Sequence, residues 1–173
     1  MEDSFFATVQ YPTHRFTTKT IGEIYNQYES GEIKILKGQR NYVWKSRQQQ
    51  KFLETISKNG PIIGPQFNLN EQHIQEIMDG QNRIMTIIRF MNDVIMFENE
   101  YKKKIKYSQM NATDQRKFRT IPIGYTETIN WEQEQCEEHF RNIQEGMSLS
   151  KGEILNSDSQ NIFCEKKWVK YNV

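Results

Sequence analysis

Cysteine is nearly absent from this chain: only Cys136 and Cys164 occur among its 173 residues. They fit no CxxC metal spacing and build no disulfide framework, so a reducing, intracellular setting is expected, cytoplasmic or nuclear, a virus-infected cell included. Histidine is equally sparse. His14, His73 and His139 are scattered, none beside the Asp, Glu or Cys spacing that a metal site wants, and zinc is not expected. No apolar run approaches the roughly 18 residues of a membrane span, so no membrane partner is expected. The start, Met1-Glu2-Asp3-Ser4, lacks the basic and apolar stretches of a signal peptide. Internal repeats and low-complexity tracts are missing too. A strong charge of either sign is also lacking, with 23 Lys and Arg against 22 Asp and Glu. Bulk electrostatic grip on duplex DNA is thereby disfavoured, although a local basic face stays open.

What is there suffices for one domain with a core. Hydrophobic residues make up 36% and aromatic ones 12%, which points to an aromatic-rich core rather than a large one. Thr20-Ile21-Gly22-Glu23 reads as a capping box. A stripe of Ile21, Ile24, Tyr25 and Tyr28 follows and ends at Ser30-Gly31. Ile33 to Leu36 reads as a short strand leading into Lys37-Gly38-Gln39-Arg40. A second helix, with Ser46 as N-cap, is expected to bury Phe52, Leu53 and Ile56 and stop at Asn59-Gly60.

Pro61 to Leu69 reads as extended, interrupted at Gly64-Pro65. Ile74 to Met78 is a compact strand, broken at Asp79-Gly80, and an apolar helix follows through Ile84, Ile87, Ile88, Met91, Val94 and Ile95. Residues 99–106 are lysine-rich and read as a solvated segment. Thr113 is expected to cap a short helix through Phe118, Thr120 to Ile129 to form a strand, and Trp131 to Gln144 a helix with Phe140 and Ile143 inward, ending at Glu145-Gly146. Ser150-Lys151-Gly152-Glu153 reads as another capping box. Helices and strands mix without strict alternation, so the expected class is α+β.

Two short motifs carry the chemistry. In Asp79-Gly80-Gln81-Asn82-Arg83 a strand hands over to a helix. The free N–H groups and positive end of such a helix attract phosphate. Gly80 permits close backbone approach, Arg83 in the first turn can add a bidentate contact, and Gln81 and Asn82 add neutral donors and acceptors. Asp79 would repel a bare phosphate, which suggests that it orients a metal ion or a water. The plainer alternative makes Asp79 a helix cap and Arg83 a surface residue. In the second motif, Gln39-Arg40-Asn41-Tyr42-Val43-Trp44, Arg40 can bind phosphate while Tyr42 or Trp44 stacks on a base. Its alternative puts Tyr42, Val43 and Trp44 in the core or a lid and pairs Arg40 with an acid.

These motifs in order, with the amphipathic helix and Pro61-Ile62-Ile63-Gly64 between them, resemble the N-terminal domain of GmrSD-type restriction systems. A downstream match, Phe140 to Glu153, looks like a further segment of that family, with Phe140, Gly146, Leu149 and Glu153 kept and Gln144 standing where the family usually has Asn. Asn82 likewise stands where a second Gln is commoner. The resemblance implies a ParB/sulfiredoxin-like fold over residues 20–156, after an N-terminal extension (1–19) and before a tail (157–173) that would begin a missing segment. It implies NTP binding with slow Mg²⁺-dependent hydrolysis. Gln39, Arg40, Tyr42, Gly80, Gln81, Asn82 and Arg83 would hold the nucleotide. Asp79, Arg40 and Gln81 would act in catalysis, with Asp79 on the metal. DNA and a nuclease domain or subunit are the further partners implied, an oligomer is left open, and no HNH-like cluster supports DNA cutting by these residues. The alternative is a non-catalytic ParB-like module that holds nucleic acid or a protein partner in the same pocket.

Overall fold

A computed structural model describes residues 13–36 and 42–147, with the side chains of 143–147 left out. The chain divides into two units, residues 1–136 and 137–173. The first holds a five-stranded mixed sheet of order β1-β7-β3-β4-β2 and a two-stranded hairpin, β5-β6. The architecture is α+β, as the unalternating order of elements implied.

Local chemistry starts the first elements. β1 (His14–Thr20) runs straight into α1 (Ile21–Glu29). Thr20 Oγ1 accepts from Glu23 N–H at 3.2 Å while Glu23 Oε2 accepts from Thr20 N–H at 2.7 Å, so the capping box forms as read. Gly31, at φ 79°, ends the helix where only a left-handed residue lets the last carbonyls be satisfied. β2 (Ile33–Ile35) then pairs parallel with β4 (Gln75–Asp79), Ile35 opposite Ile77. Between them, α2 (Ser46–Ser57) starts one residue earlier than expected. Lys45 is its N-cap, and the Gln48 side chain reaches back to the Lys45 N–H at 2.9 Å. Leu53 and Ile56 are buried and Phe52 packs partly against the core.

β3 (Gln66–Leu69) lies between β4 and β7 (Pro122–Ile129), antiparallel to the first and parallel to the second. The stretch before it passes close to β7. A Cβ on Gly64 would stand 1.5 Å from the Gly124 carbonyl oxygen, so only glycine fits there. Pro65 is thereby held beside the sheet, where its carbonyl accepts from Thr126 N–H at 3.3 Å.

α3 (Gln81–Met91) follows β4 and buries Ile84, Ile87, Ile88, Phe90 and Met91. Its end corrects the reading that carried it through Val94 and Ile95. Asp93 adopts φ 59°, its N–H bonds the Phe90 carbonyl at 3.0 Å, and Val94 N–H bonds the Arg89 carbonyl at 2.8 Å. That double closure stops the helix although the apolar spacing continues, and Val94 is left exposed. The lysine-rich stretch also gains structure. β5 (Phe97–Glu98) and β6 (Lys104–Ile105) pair as a hairpin, and a 3₁₀ turn (Tyr107–Gln109) follows. α4 (Ala112–Thr120) is capped by Asn111, whose Oδ1 accepts from Asp114 N–H at 2.9 Å, and not by Thr113. An asparagine just before the helix can adopt the extended cap conformation; Thr113 already lies inside the first turn.

Two cores result, one on each face of the sheet. The larger joins Phe67, Ile77, Ile123 and Tyr125 to α1–α4, with an edge-to-face cluster of Phe90, Phe118 and Tyr107. The smaller gathers Met78, Trp131 and Cys136, with Leu36 packed against it. Buried Asn68 serves it by accepting from Trp131 N–H at 3.1 Å and donating to the Trp131 carbonyl at 3.0 Å.

β1 was not expected as a strand. All seven of its residues pair antiparallel with β7. Its polar side chains are fastened by buried Glu127, which accepts from Arg15 Nε at 2.6 Å and from Gln75, while Lys19 donates to Gln75. Burial, foremost, lowers the Lys19 pKa, against the pull of Glu127.

α5 (Gln133–Met147) begins two residues after Trp131 and continues past Glu145-Gly146, so that pair does not stop it. In the second unit Phe140 is half-buried, and the Ile143 side chain lies outside the described residues. So does Ser150 to Glu153, with the tail. No helix among the described residues is long and apolar enough to cross a membrane.

Candidate functional site

β4 sits inside the sheet, flanked by β3 and β2, and delivers Asp79 to its C-terminal end. Gly80 then turns the chain at φ 84° and serves as the N-cap of α3. Asp79 is therefore not the cap. Gly80 is needed for two reasons: its left-handed backbone, and the 2.9 Å that would separate an added Cβ from Pro65 Cα. The space that a side chain would take at Gly80 thus belongs to Pro65 and to Arg83 Nη2, 3.0 Å away.

The Gly80 carbonyl accepts from Arg83 N–H at 2.9 Å and from Ile84 N–H at 3.0 Å. The N–H groups of Gln81 and Asn82 come before the first intrahelical bond and have no acceptor within the helix. Arg83 lies in this first turn. Its Nη2 donates to Asp79 Oδ2 at 2.8 Å, and its Nε is buried with no hydrogen-bond partner among the described residues. A buried donor left without a partner costs on the order of 1–3 kcal/mol. The turn therefore combines amides without an acceptor in the helix, a positive helix end and a guanidinium whose Nε has no partner among the described residues, balanced by one carboxylate.

Gln39 and Arg40 lie outside the described residues. The described residues resume at Tyr42, and from there the chain lies along α3. Val43 N–H donates to Asn82 Oδ1 at 3.1 Å, and Tyr42 Oη meets Thr86 Oγ1 at 3.0 Å. Arg89 holds its guanidinium 5.1 Å from the Tyr42 ring centre. Trp44 meets Phe52 edge to face at 5.5 Å, while Val43 is exposed. Thus Asp79, Gly80, Gln81, Asn82 and Arg83 gather at the N-terminal end of α3 with Val43 against Asn82, whereas Tyr42 lies further along the helix, at Thr86 and at Arg89 of the last turn. The sequence reading missed Thr86 and Arg89. A signal existed, since they follow Asn82 at i+4 and i+7, and Thr86 is a polar residue fully buried in an isoleucine-rich helix.

Among the described residues no three His, Cys, Asp or Glu side chains converge to hold a metal. Asp79 stands as a single carboxylate. That donor set does not suit an all-protein cage, but it suits Mg²⁺ shared with phosphate oxygens, which takes one or two carboxylates from a protein.

Fold and site together define an α+β domain whose candidate ligand face is the N-terminal end of a central helix. The chain belongs to the family described as GmrSD restriction endonuclease, N-terminal domain, whose model matches residues 21–169. That match opens at Ile21, the first residue of α1, and covers both motifs. Comparison with curated proteins and with solved structures brings no match.

Proposed function

We propose that this domain binds a nucleoside triphosphate at the N-terminus of α3 and hydrolyses it slowly with Mg²⁺. The observation that carries the reading is Arg83, a first-turn arginine whose buried Nε has no hydrogen-bond partner among the described residues, beside the Gln81 and Asn82 amides, which have no acceptor within the helix. Those groups would take the phosphates, and Gln81 adds a side-chain amide. Arg40 would offset charge that develops on the transferred phosphoryl group, and Gln39 would support it. Asp79 would hold Mg²⁺ together with the phosphates, and Arg83 would keep its carboxylate oriented. The metal would supply charge neutralisation across the phosphate oxygens.

Within a restriction-type system, DNA and a nuclease domain or subunit are the partners this reading implies. A second reading keeps the same site without chemistry: a ParB-like module that holds nucleic acid or a protein. The Asp79–Arg83 ion pair favours it, because a carboxylate already paired with the arginine is a sufficient structural reason for Asp79.

The test is a thermal-shift panel with each of the common NTPs, with and without Mg²⁺, on the parent and on Arg83→Ala. Ligand binding raises Tm by mass action, and at 100 times Kd the gain is about 2.7 kcal/mol. A shift in the parent that Arg83→Ala abolishes supports the site. Equal shifts in both would remove Arg83 from it, and none with any nucleotide would overturn the reading. Phosphate release then separates the enzyme from the module.

A further inference from the structure

The Tyr42–Val43 segment is held against α3 at three points, all on one stripe of that helix. Asn82, Thr86 and Arg89 follow at i, i+4 and i+7, which brings them to the same side of the helix, rising about 10.5 Å along it. Asn82 Oδ1 takes the Val43 N–H at 3.1 Å. Thr86, completely buried, donates from Oγ1 to the Asn82 carbonyl at 2.7 Å and meets the Tyr42 hydroxyl at 3.0 Å. Arg89 covers the Tyr42 ring at 5.1 Å, its own Nε buried without a partner among the described residues. These contacts join positions 39 to 47 residues apart in the chain, so nothing local produces them.

We infer that Asn82, Thr86 and Arg89 are positioning residues, which dock Tyr42–Val43 as a wall along α3, anchored by Tyr42 at Thr86 and Arg89 and bringing Val43 beside the first turn, and so set nucleotide affinity. This rests on the nucleotide-binding reading above. The Asn82 side chain, turned to Val43, is thereby assigned to the wall rather than to the ligand, and its backbone N–H remains for the phosphate. Thr86 is the keystone because one hydroxyl serves both the helix carbonyl and the tyrosine. Arg89 keeps the ring flat on the stripe through its positive charge over the π face.

Three variants test it: Tyr42→Phe, Thr86→Val and Thr86→Ser. Two readouts are taken on the full chain. Amide hydrogen exchange at Val43, without nucleotide, reports the docking alone. Titration with ATP and Mg²⁺, with KM and kcat for phosphate release, reports the consequence. Loss of one neutral hydrogen bond predicts faster Val43 exchange and weaker ATP binding, each by roughly 3- to 10-fold, in Tyr42→Phe and Thr86→Val. KM should carry the change, with kcat within about 2-fold, because the wall touches no reacting atom. Thr86→Ser, which keeps the hydroxyl, should restore both readouts. Tyr42→Phe guards against misfolding, since it removes one oxygen from a half-buried side chain.

Faster exchange with unchanged ATP affinity would overturn the inference and leave the docking merely structural. Unchanged exchange would overturn the docking itself. If the parent binds no ATP while Val43 exchange responds as expected, the nucleotide reading fails, the affinity role falls with it, and the docking stands.

Discussion

Arg83 reaches back four residues to Asp79, its Nη2 2.8 Å from Oδ2, so the cation and the anion of the candidate site answer to each other across the Gly80 turn. A change at Asp79 must therefore be read at Arg83 too. Asp79→Asn removes a negative charge from a phosphate site and loosens Arg83, so nucleotide affinity should hold or rise. If Asp79 orients the metal or the attacking water, phosphate release should fall by about 10²-fold or more. An unchanged rate at saturating nucleotide would take Asp79 out of the mechanism.

Gly80→Ala probes the turn itself. The left-handed backbone alone costs an alanine about 1–2 kcal/mol. Its Cβ would also press on Pro65 Cα at 2.9 Å and on Arg83 Nη2 at 3.0 Å. The expected result is a lower urea midpoint at unchanged m-value, with weaker nucleotide binding because Arg83 must move. A midpoint equal to that of the parent would show that the turn relaxes freely.

The cap of α4 offers a clean internal comparison. Asn111→Ala removes the acceptor for Asp114 N–H and should destabilise by about 1 kcal/mol. Thr113→Ala removes no cap and, by helix propensity, should be neutral or slightly favourable. Chemical denaturation of the two variants decides it, and the reverse order of stabilities would reassign the cap.

Acid should weaken the domain through particular carboxylates. The Thr20 backbone N–H, foremost, holds Glu23 below its ordinary value, and a hydrogen bond from the Ser108 hydroxyl, foremost, does the same for Asp93. A depressed carboxyl stabilises above its unfolded pKa and loses that contribution as pH falls through its folded one. Tm should therefore be level near pH 6 and decline below the ordinary carboxylate range. Glu23→Gln keeps a capping-box partner without the titration, so its acid limb should be shallower than that of the parent. Parallel limbs would mean that Glu23 contributes nothing to the acid response.

The sequence by itself determined the elements whose signals are local. The Thr20–Glu23 box, the stops at Gly31 and Asn59-Gly60, the isoleucine stripe of α3 and the strand-to-helix turn at Asp79-Gly80 each depend on residues within a few positions of one another. Three motifs in order, the third running from Phe140 to Glu153, were also enough to name the family. Tertiary structure alone decided the rest. His14–Thr20 carries no apolar alternation, because it is an edge strand held by backbone pairing and by a buried carboxylate, Glu127, more than a hundred residues away in the chain. α3 stops at Met91 because Asp93 turns left-handed while the apolar spacing runs on. Tyr42 meets Thr86 only once β2 and α3 stand side by side with β4, and no pattern along the chain encodes a bond between residues 44 positions apart. Periodicity reports which face of an element is apolar; which polar groups meet across the fold depends on packing, and packing brought Tyr42 to Thr86 and Arg89 on α3.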